Sequence, residues 1–591
     1  MTVYQPEHKA SLGHPVRSIF AYARPYAWDY LRGAILGAAF LLIDLAMPVV
    51  IRTVITAFQQ DVMTPRLLGF YFIVLLGIAS GTGVGRYYQR LLMIKASRKC
   101  EYDLRNDYFR HVQRLGQGFF HRNKTGDIMA RAVNDLEYVR MFLGPGLMGS
   151  VDMIRVPLSL AVMIYFSAKL TLITIIPMPL VSVMVYAFIT YIHRQSGVVQ
   201  DQFARVTSRV QENLAGARVV KAYAAASREE RDFRKECEAY MRQSMGLALV
   251  TNFAWVSVGT VVGLTILLVL WRGGLLVING QLPLGDLVGF MVCVMMLAWP
   301  LAQFGWVMTL YQRGAVGMKR ISEILAEEPA IRDDADTRYD LPPVKGAVTF
   351  ERVRFGFESR PVLHDINLSV PQGKTVAIVG PTGSGKSSIV SLLTREYDPA
   401  EGRVFIDGVD ARRIPVAKLR EAIGYVPQDT FLFSDTIRAN VTLGRPDAAQ
   451  TEIDYACRAA QLHETIEGLE QGYDTLLGER GVNLSGGQKQ RLAIARAILR
   501  DPKILVLDDA LSSVDTHTEE RILNGLEEVT TQRTSVIISH RVSTVRHADE
   551  IVVVDDGRIV ERGTHADLLA LGGAYAAMHA RQQLEAQLEE T

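Results

Sequence analysis

Residues 375–393 read Thr-Val-Ala-Ile-Val-Gly-Pro-Thr-Gly-Ser-Gly-Lys-Ser-Ser-Ile-Val-Ser-Leu-Leu. The first five are small or β-branched apolar residues, a run of strand length. The last residues, from Ser388 on, carry apolar side chains at helical spacing. Between them Gly380-Pro381-Thr382-Gly383-Ser384-Gly385-Lys386-Ser387 has the form G-x-x-x-x-G-K-S. A strand, this loop and a helix in succession form a phosphate cradle. The glycines let backbone N–H groups turn inward around phosphate oxygens, and the helix start adds positive potential. Lys386 is placed to reach the β- and γ-phosphates, and the Ser387 hydroxyl to ligate Mg²⁺. The stretch therefore predicts an α/β domain that holds a nucleoside triphosphate.

Downstream, the strand Ile504-Leu-Val-Leu-Asp508 ends in an acid suited to hold the metal, followed by Asp509. Between the two lies Leu484-Ser485-Gly486-Gly487-Gln488, with basic residues after it. Ser485 and the glycines stand at a helix start, where N–H groups face an anion. Gln428 stands in Tyr425-Val-Pro-Gln-Asp, Gly478-Glu-Arg-Gly481 precedes the Ser485 segment, Ser512-Ser-Val-Asp515 follows Asp509, and His540 stands in Ile537-Ile-Ser-His-Arg. With these motifs in this order, residues 346–580 resemble the ATPase domain of ABC transporters. The resemblance implies ATP and Mg²⁺ as cofactors, with Ser387, Gln428 and Asp508 around the metal. It implies that Gln428, the residue at position 509 and the switch histidine His540 serve hydrolysis. Phe357 takes the place of the aromatic residue, usually Tyr, that stacks on adenine. Ser485, Gly486, Gly487 and Gln488 match the signature that contacts the γ-phosphate of an ATP bound by the opposite subunit, so that each ATP is sandwiched between two domains.

Asp509 departs from the family pattern, which has a glutamate there to polarise the attacking water. Asp withdraws the carboxylate by about 1.5 Å, one carbon–carbon bond. A misplacement of about 1 Å can cost on the order of a hundredfold in rate. An intact signature beside a shortened acid resembles the degenerate-site half of a heterodimeric exporter, whose partner supplies the glutamate. Two alternatives stay open: a homodimer that tolerates Asp509, and a regulatory subunit that binds ATP without hydrolysing it.

The chain has 591 residues, enough for two or more domains, and a formal net charge of +2, too small to point to a nucleic-acid partner. Its four cysteines, Cys100, Cys237, Cys293 and Cys457, have no metal-ligand spacing and read as free thiols. Residues 1–20 lack the apolar core of a cleavable signal. Apolar residues concentrate in the first half. Segments near 31–58, 66–92, 146–167, 170–193, 247–277 and 287–312 each have the roughly 20 residues needed to cross a bilayer. The loops at 59–65, around Lys169 and at 278–285 carry almost no Lys or Arg, whereas 93–140 and 194–245 are long and basic. That asymmetry places the long loops and both termini in the cytoplasm. Residues 17–30 read as an interfacial helix.

Within the long loops, 119–127 and 212–223 resemble the coupling segments of ABC exporters with swapped helices. The resemblance implies a membrane all-α domain of six helices, of the type IV exporter class, fused to an α/β P-loop nucleotide-binding domain. The expected boundaries are 1–325 for the membrane domain, 326–345 for a linker, 346–580 for the ATPase domain and 581–591 for a short helical tail. The implied protein is a multi-pass half-transporter of a bacterial inner (cell) membrane, in contact with lipid, with its ATPase domain in the cytoplasm. It exports small amphipathic molecules, drug-like or lipid-like. Asp44, Asp152 and Arg155 are ionisable residues within spans, which either face the transport path or serve as structural pairs, Asp152 and Arg155 being spaced to pair on one helix.

Overall fold

The computed structural model describes residues 14–176, 178–357, 360–512, 518–523, 525 and 533–589. Two compact units result. One comprises the described residues to Gln113 together with Lys124–Glu327; the other comprises Arg114–Asn123 and the residues from Glu328 onward.

The first unit is helical throughout. Helices Pro15–Ala23, Ala27–Asp44 and Ala46–Gln59 follow one another with short interruptions. Pro65–Val112 starts at a sharp boundary, because the Thr64 hydroxyl accepts from the Leu67 N–H and Pro65 needs no partner at the first helical position. Among the described residues four helical stretches are long and apolar enough to cross a membrane: Pro15–Gln59, Pro65–Val112, Thr125–Phe166 and Ala226–Ile278. Leu284–Leu297 is a shorter apolar stretch at the head of the helix Leu284–Ala326. The segment expected near 170–193 falls on Ala168–Ile175 and Met178–Ala215, with residue 177 outside the described residues. Close helix contact depends on small residues. A Cβ on Gly85 would lie 2.0 Å from the Phe40 ring, which is how Ala27–Asp44 and Pro65–Val112 approach each other. Met163, Phe166, Leu170, Val269, Phe290 and Leu297 form a buried apolar cluster across four of the helices.

The charged residues in the spans pair differently from the expectation. Arg155 does not pair with Asp152; its guanidinium lies 2.8 Å from Asp44, and Arg86 approaches the same carboxylate at 3.3 Å. The reason is two helix breaks. Pro157 has no N–H for the carbonyl of Met153, and the helix stops at Asp152 and restarts at Arg155. Pro48 likewise offers nothing to the carbonyl of Asp44, and Ala27–Asp44 ends there. Asp44 is the last residue of one helix and Arg155 the first residue of another. Asp44 is thus a shared counter-ion of two arginines rather than a free acid. Nearer the end of the spans, Arg52 pairs with Asp286 and donates to the Tyr165 hydroxyl at 3.3 Å.

Among its described residues the second unit has ten strands: β1 (Val348–Phe357), β2 (Arg360–Val370), β3 (Thr375–Val379), β4 (Glu401–Ile406), β5 (Val409–Asp410), β6 (Ile423–Val426), β7 (Ile504–Asp508), β8 (Thr534–Ile538), β9 (Glu550–Asp555) and β10 (Arg558–Gly563). An antiparallel sheet has the order β2-β1-β4-β5, and a larger sheet β10-β9-β3-β8-β7-β6. In the larger sheet β9, β3, β8, β7 and β6 are parallel neighbours, and β10 is an antiparallel edge. β3 is apolar and buried on both faces, as interior parallel strands are. Val376 and Ile378 face a core shared with Phe350, Ile366 and the helix residues Ile389 and Val390. Ala377 and Val379 face Val542, Val545, Leu568 and Tyr575. Farther along the sheet, Val426, Leu505 and Leu507 pack with Ile494 and Ile498 of the helix Gly486–Leu499. The helix Gln117–Arg122 belongs to this unit. His121 Nδ1 is 3.1 Å from the Tyr397 hydroxyl, beside a cavity of about 520 Å³ lined by Gln117, Phe120, Glu396, Arg420 and Arg500.

Arg155→Met tests the shared counter-ion. Asp44 would keep only the more exposed Arg86, so the loss should be real yet smaller than the roughly 3–5 kcal/mol of a wholly orphaned buried charge. The thermal midpoint of the purified protein, followed by tryptophan fluorescence, should fall. Adding Asp44→Asn should recover part of the loss. An unchanged midpoint in Arg155→Met would contradict the pairing.

Candidate nucleotide site

Strand register gathers the site. β3 pairs with β8 through Ile378 and Ile538, β8 with β7 through Ile538 and Asp508, and β7 with β6 through Leu507 and Val426. The loop from Gly380, the dipeptide Asp508–Asp509, the segment Ser539–His540 and the loop bearing Gln428 therefore leave the sheet at one carboxyl edge. Open α/β sheets bind their ligands at that edge.

The phosphate loop depends on backbone that only glycine adopts freely. Gly380, Gly383 and Gly385 have φ of 148°, 83° and 100°. A Cβ on Gly380 would also lie 2.0 Å from the Val554 carbonyl oxygen, so β9 leaves no room for a side chain. Pro381, Thr382 and Gly383 are exposed at the tip, and the Ser384 carbonyl accepts from the Gly557 N–H at 3.1 Å. Lys386 is buried, and its Nζ donates to the carbonyls of Gly380 at 3.0 Å and Pro381 at 2.7 Å. Burial lowers its pKa, and the neighbouring Asp508 and Asp509 act in the opposite direction. Ser388, the next residue, is buried in the first turn.

Ser387 Oγ donates to Asp508 Oδ1 at 3.2 Å. A hydroxyl and a carboxylate one hydrogen bond apart are the oxygen donors that Mg²⁺ takes together with phosphate, so the pair fits the metal. Burial raises the Asp508 pKa, the Ser387 hydrogen bond opposes this, and the adjacent Asp509 raises it further. Asp509 has φ of 48°, a left-handed conformation that Asp tolerates better than most residues. Its N–H donates to the Ile538 carbonyl at 2.9 Å, and its own carbonyl accepts from Ser512 Oγ at 3.0 Å. The backbone is thus pinned on both sides, which leaves the carboxylate no main-chain shift to make up its length.

His540 is half-buried. Burial lowers its pKa, Lys386 adds to the effect and Asp509 opposes it, which favours the neutral ring. Gln428 is exposed two residues beyond β6. Phe357 is 40% exposed at the end of β1 and meets Phe355 and Tyr397 edge-on, with centroids 5.0 and 5.3 Å away. Ser485 lies elsewhere. It caps the helix Gly486–Leu499, accepting from the Gln488 N–H at 3.3 Å while Gln488 Oε1 accepts from the Ser485 N–H at 2.8 Å. Among the described residues no hydrogen bond joins Ser485, Gly486, Gly487 or Gln488 to Lys386, Ser387, Asp508, Asp509 or His540. Of the expected Ser512–Asp515 motif, residues 513–515 lie outside the described residues.

Two residues near the site went unnoticed in the sequence. Glu519 is buried and accepts from Arg541 and Thr544, which brace the segment after His540. Gln582 donates to the His540 carbonyl. Neither stands in a recognisable motif. The four cysteines are free, as expected.

Comparison with known proteins extends the likeness to the whole chain. Residues 33–301 match the ABC transporter transmembrane region, and residues 363–512 match the ABC transporter family. The multidrug resistance-like ATP-binding protein MdlA of Escherichia coli is 35% identical over 564 residues, covering 94% of this chain and 95% of that one. The ATP-dependent lipid A-core flippase of Chromohalobacter salexigens is 35% identical over 578 residues, covering 97% and 98%. The solved structure of a bacterial Atm1-family ABC exporter with ATP bound superposes with a TM-score of 0.76 at 29% identity, covering 95% of this chain and 98% of that one. A helical transmembrane domain fused to an α/β ATP-binding domain, in the type IV exporter fold, is what these matches share. The chain belongs to the ABC transporter family, as an integral membrane exporter subunit whose ATPase is coupled to transport.

Proposed function

We propose that this chain is the degenerate-site half of a heterodimeric exporter of small amphipathic molecules, drug-like or lipid-like, in a bacterial inner membrane. Residues 1–325 would form the membrane domain, 326–345 the linker, 346–580 the ATPase domain and 581–591 the tail. Two relatives support the cargo class by their names, one as multidrug resistance-like and one as a lipid A-core flippase. The observation that carries the heterodimer is Asp509, short by one methylene and with its N–H and carbonyl both engaged.

In this reading the Gly380–Gly385 loop and Lys386 hold the phosphates, Phe357 takes the adenine, and Ser387 and Asp508, with Gln428, hold Mg²⁺. When bound, the metal would neutralise charge building on the phosphate oxygens. Lys386 would exchange its bonds to the Gly380 and Pro381 carbonyls for phosphate oxygens. His540 in its neutral form can donate one hydrogen bond to the γ-phosphate. Asp509 would leave the attacking water underpolarised, so ATP would be held here longer than it is cleaved. Ser485, with Gly486, Gly487 and Gln488, would complete the partner's site across the sandwich, and hydrolysis there would reset the transporter.

The purified chain alone should hydrolyse ATP slowly, and co-purification with a half-transporter bearing the glutamate should raise turnover by about tenfold or more. Equal turnover with and without the partner would sink the heterodimer and favour the homodimer.

Within the pair, Ser485→Ala should remove a donor from the working site and lower turnover by roughly a hundredfold, the scale for one such donor. Lys386→Ala should weaken nucleotide retention at this chain's own site and lower turnover less. The reverse order would assign the main hydrolytic site to this chain.

A further inference from the structure

The helix Ala574–Glu589 lies outside the family motifs, yet it reaches the segment that carries His540. Tyr575 is fully buried, and Met578 packs partly buried beside it, in the cluster that contains Ala377 and Val379 of β3 and Val542 and Val545. Gln582 follows Tyr575 by seven residues and Met578 by four, so the three share one helix face. The apolar pair fixes the helix, and the fixed helix delivers the glutamine. Gln582 Nε2 donates to the His540 carbonyl, and Gln582 Oε1 accepts from the Val542 N–H at 2.9 Å. One amide thus closes on the backbone from both sides of Arg541. The Arg541 N–H donates to Ser539 Oγ at 3.0 Å, and its side chain pairs with the buried Glu519.

We propose that Gln582 is a positioning residue for His540, an inference that rests on the role given to His540 above. The two hydrogen bonds fix the peptide planes between residues 540 and 542, and with them the direction in which the imidazole leaves the chain. His540 is close enough to Lys386 and Asp509 to feel both charges, so a rotation of its backbone would carry the ring off the γ-phosphate position. The helix Ala574–Glu589 is in this way hydrogen-bonded to the segment that carries His540.

The test is single-turnover hydrolysis of radiolabelled ATP by the full-length purified chain, with protein in excess. His540→Ala should slow the step by at least about tenfold, within the range of general acid–base groups. Gln582→Ala should slow it by about three- to tenfold, the cost of a loosened group, with half-saturating ATP little changed. The double variant should be no slower than His540→Ala. Gln582→Glu keeps the acceptor for Val542 and gains a donor for His540 only when protonated. Its rate relative to the wild type should rise as pH falls from about 8 to about 5. This variant also serves if Gln582→Ala does not fold. A wild-type rate in Gln582→Ala beside an impaired His540→Ala would overturn the proposal. So would additive losses in the double variant, or a Gln582→Glu ratio that is flat with pH. A wild-type rate in His540→Ala would instead overturn the reading of His540, and the proposal with it.

Discussion

The hydrogen bond from Ser387 to Asp508 is the tie on which the nucleotide site depends. It joins the first turn of the phosphate-loop helix to the last residue of β7, and so links the two halves of the sequence motif, more than a hundred residues apart, at a distance of 3.2 Å. β3, β8 and β7 lie side by side and in register, so each strand ends at the same level. Everything that follows a strand there is delivered to one edge: the glycine loop, the two acids and the histidine segment. A slip of one residue in any of these parallel pairings would turn every side chain to the opposite face of the sheet, and so into the wrong core. The alternation of Val376 and Ile378 with Ala377 and Val379 between two cores forbids the slip.

At that edge the charge arrangement is tense. Lys386 and Asp508 are buried beside Asp509, and burial works against the charged forms of Lys386 and Asp508. Lys386 and the acids relieve one another in part. A polyanion with a divalent cation would relieve them more fully, which gives the site a physical reason to bind the pair together. Asp509 is less buried than Asp508 and does not share its bond to Ser387. Its N–H and carbonyl are both engaged, so its reach is set by side-chain length alone.

Much of this was legible in the sequence because it rests on local spacing. The glycine loop, the acid-ended strand and the Ser485 cap are each short patterns with one structural solution, and long apolar runs reveal helices by composition. What escaped was either long-range or hidden in a break. The partner of Arg155 was misassigned because residues 146–167 read as one unbroken helix. Pro48 and Pro157 carried the missing signal, since neither has an N–H to give the carbonyl four residues earlier. Gln582 gave no signal, because a glutamine in a polar tail reads as surface until the fold brings it to the His540 carbonyl. The relation of Ser485 to the phosphates is of another kind. Its hydroxyl caps its own helix within this chain, and the role proposed for it rests on a second subunit.

The claim at the centre of the account is that one missing methylene at position 509 limits hydrolysis. Asp509→Glu isolates it, since the substitution restores reach and leaves the rest of the site unchanged. Steady-state ATPase of the purified chain without any partner should rise by about tenfold or more if reach is the limit. A rate equal to that of the unmodified chain, with the protein folded and binding ATP, would contradict the account.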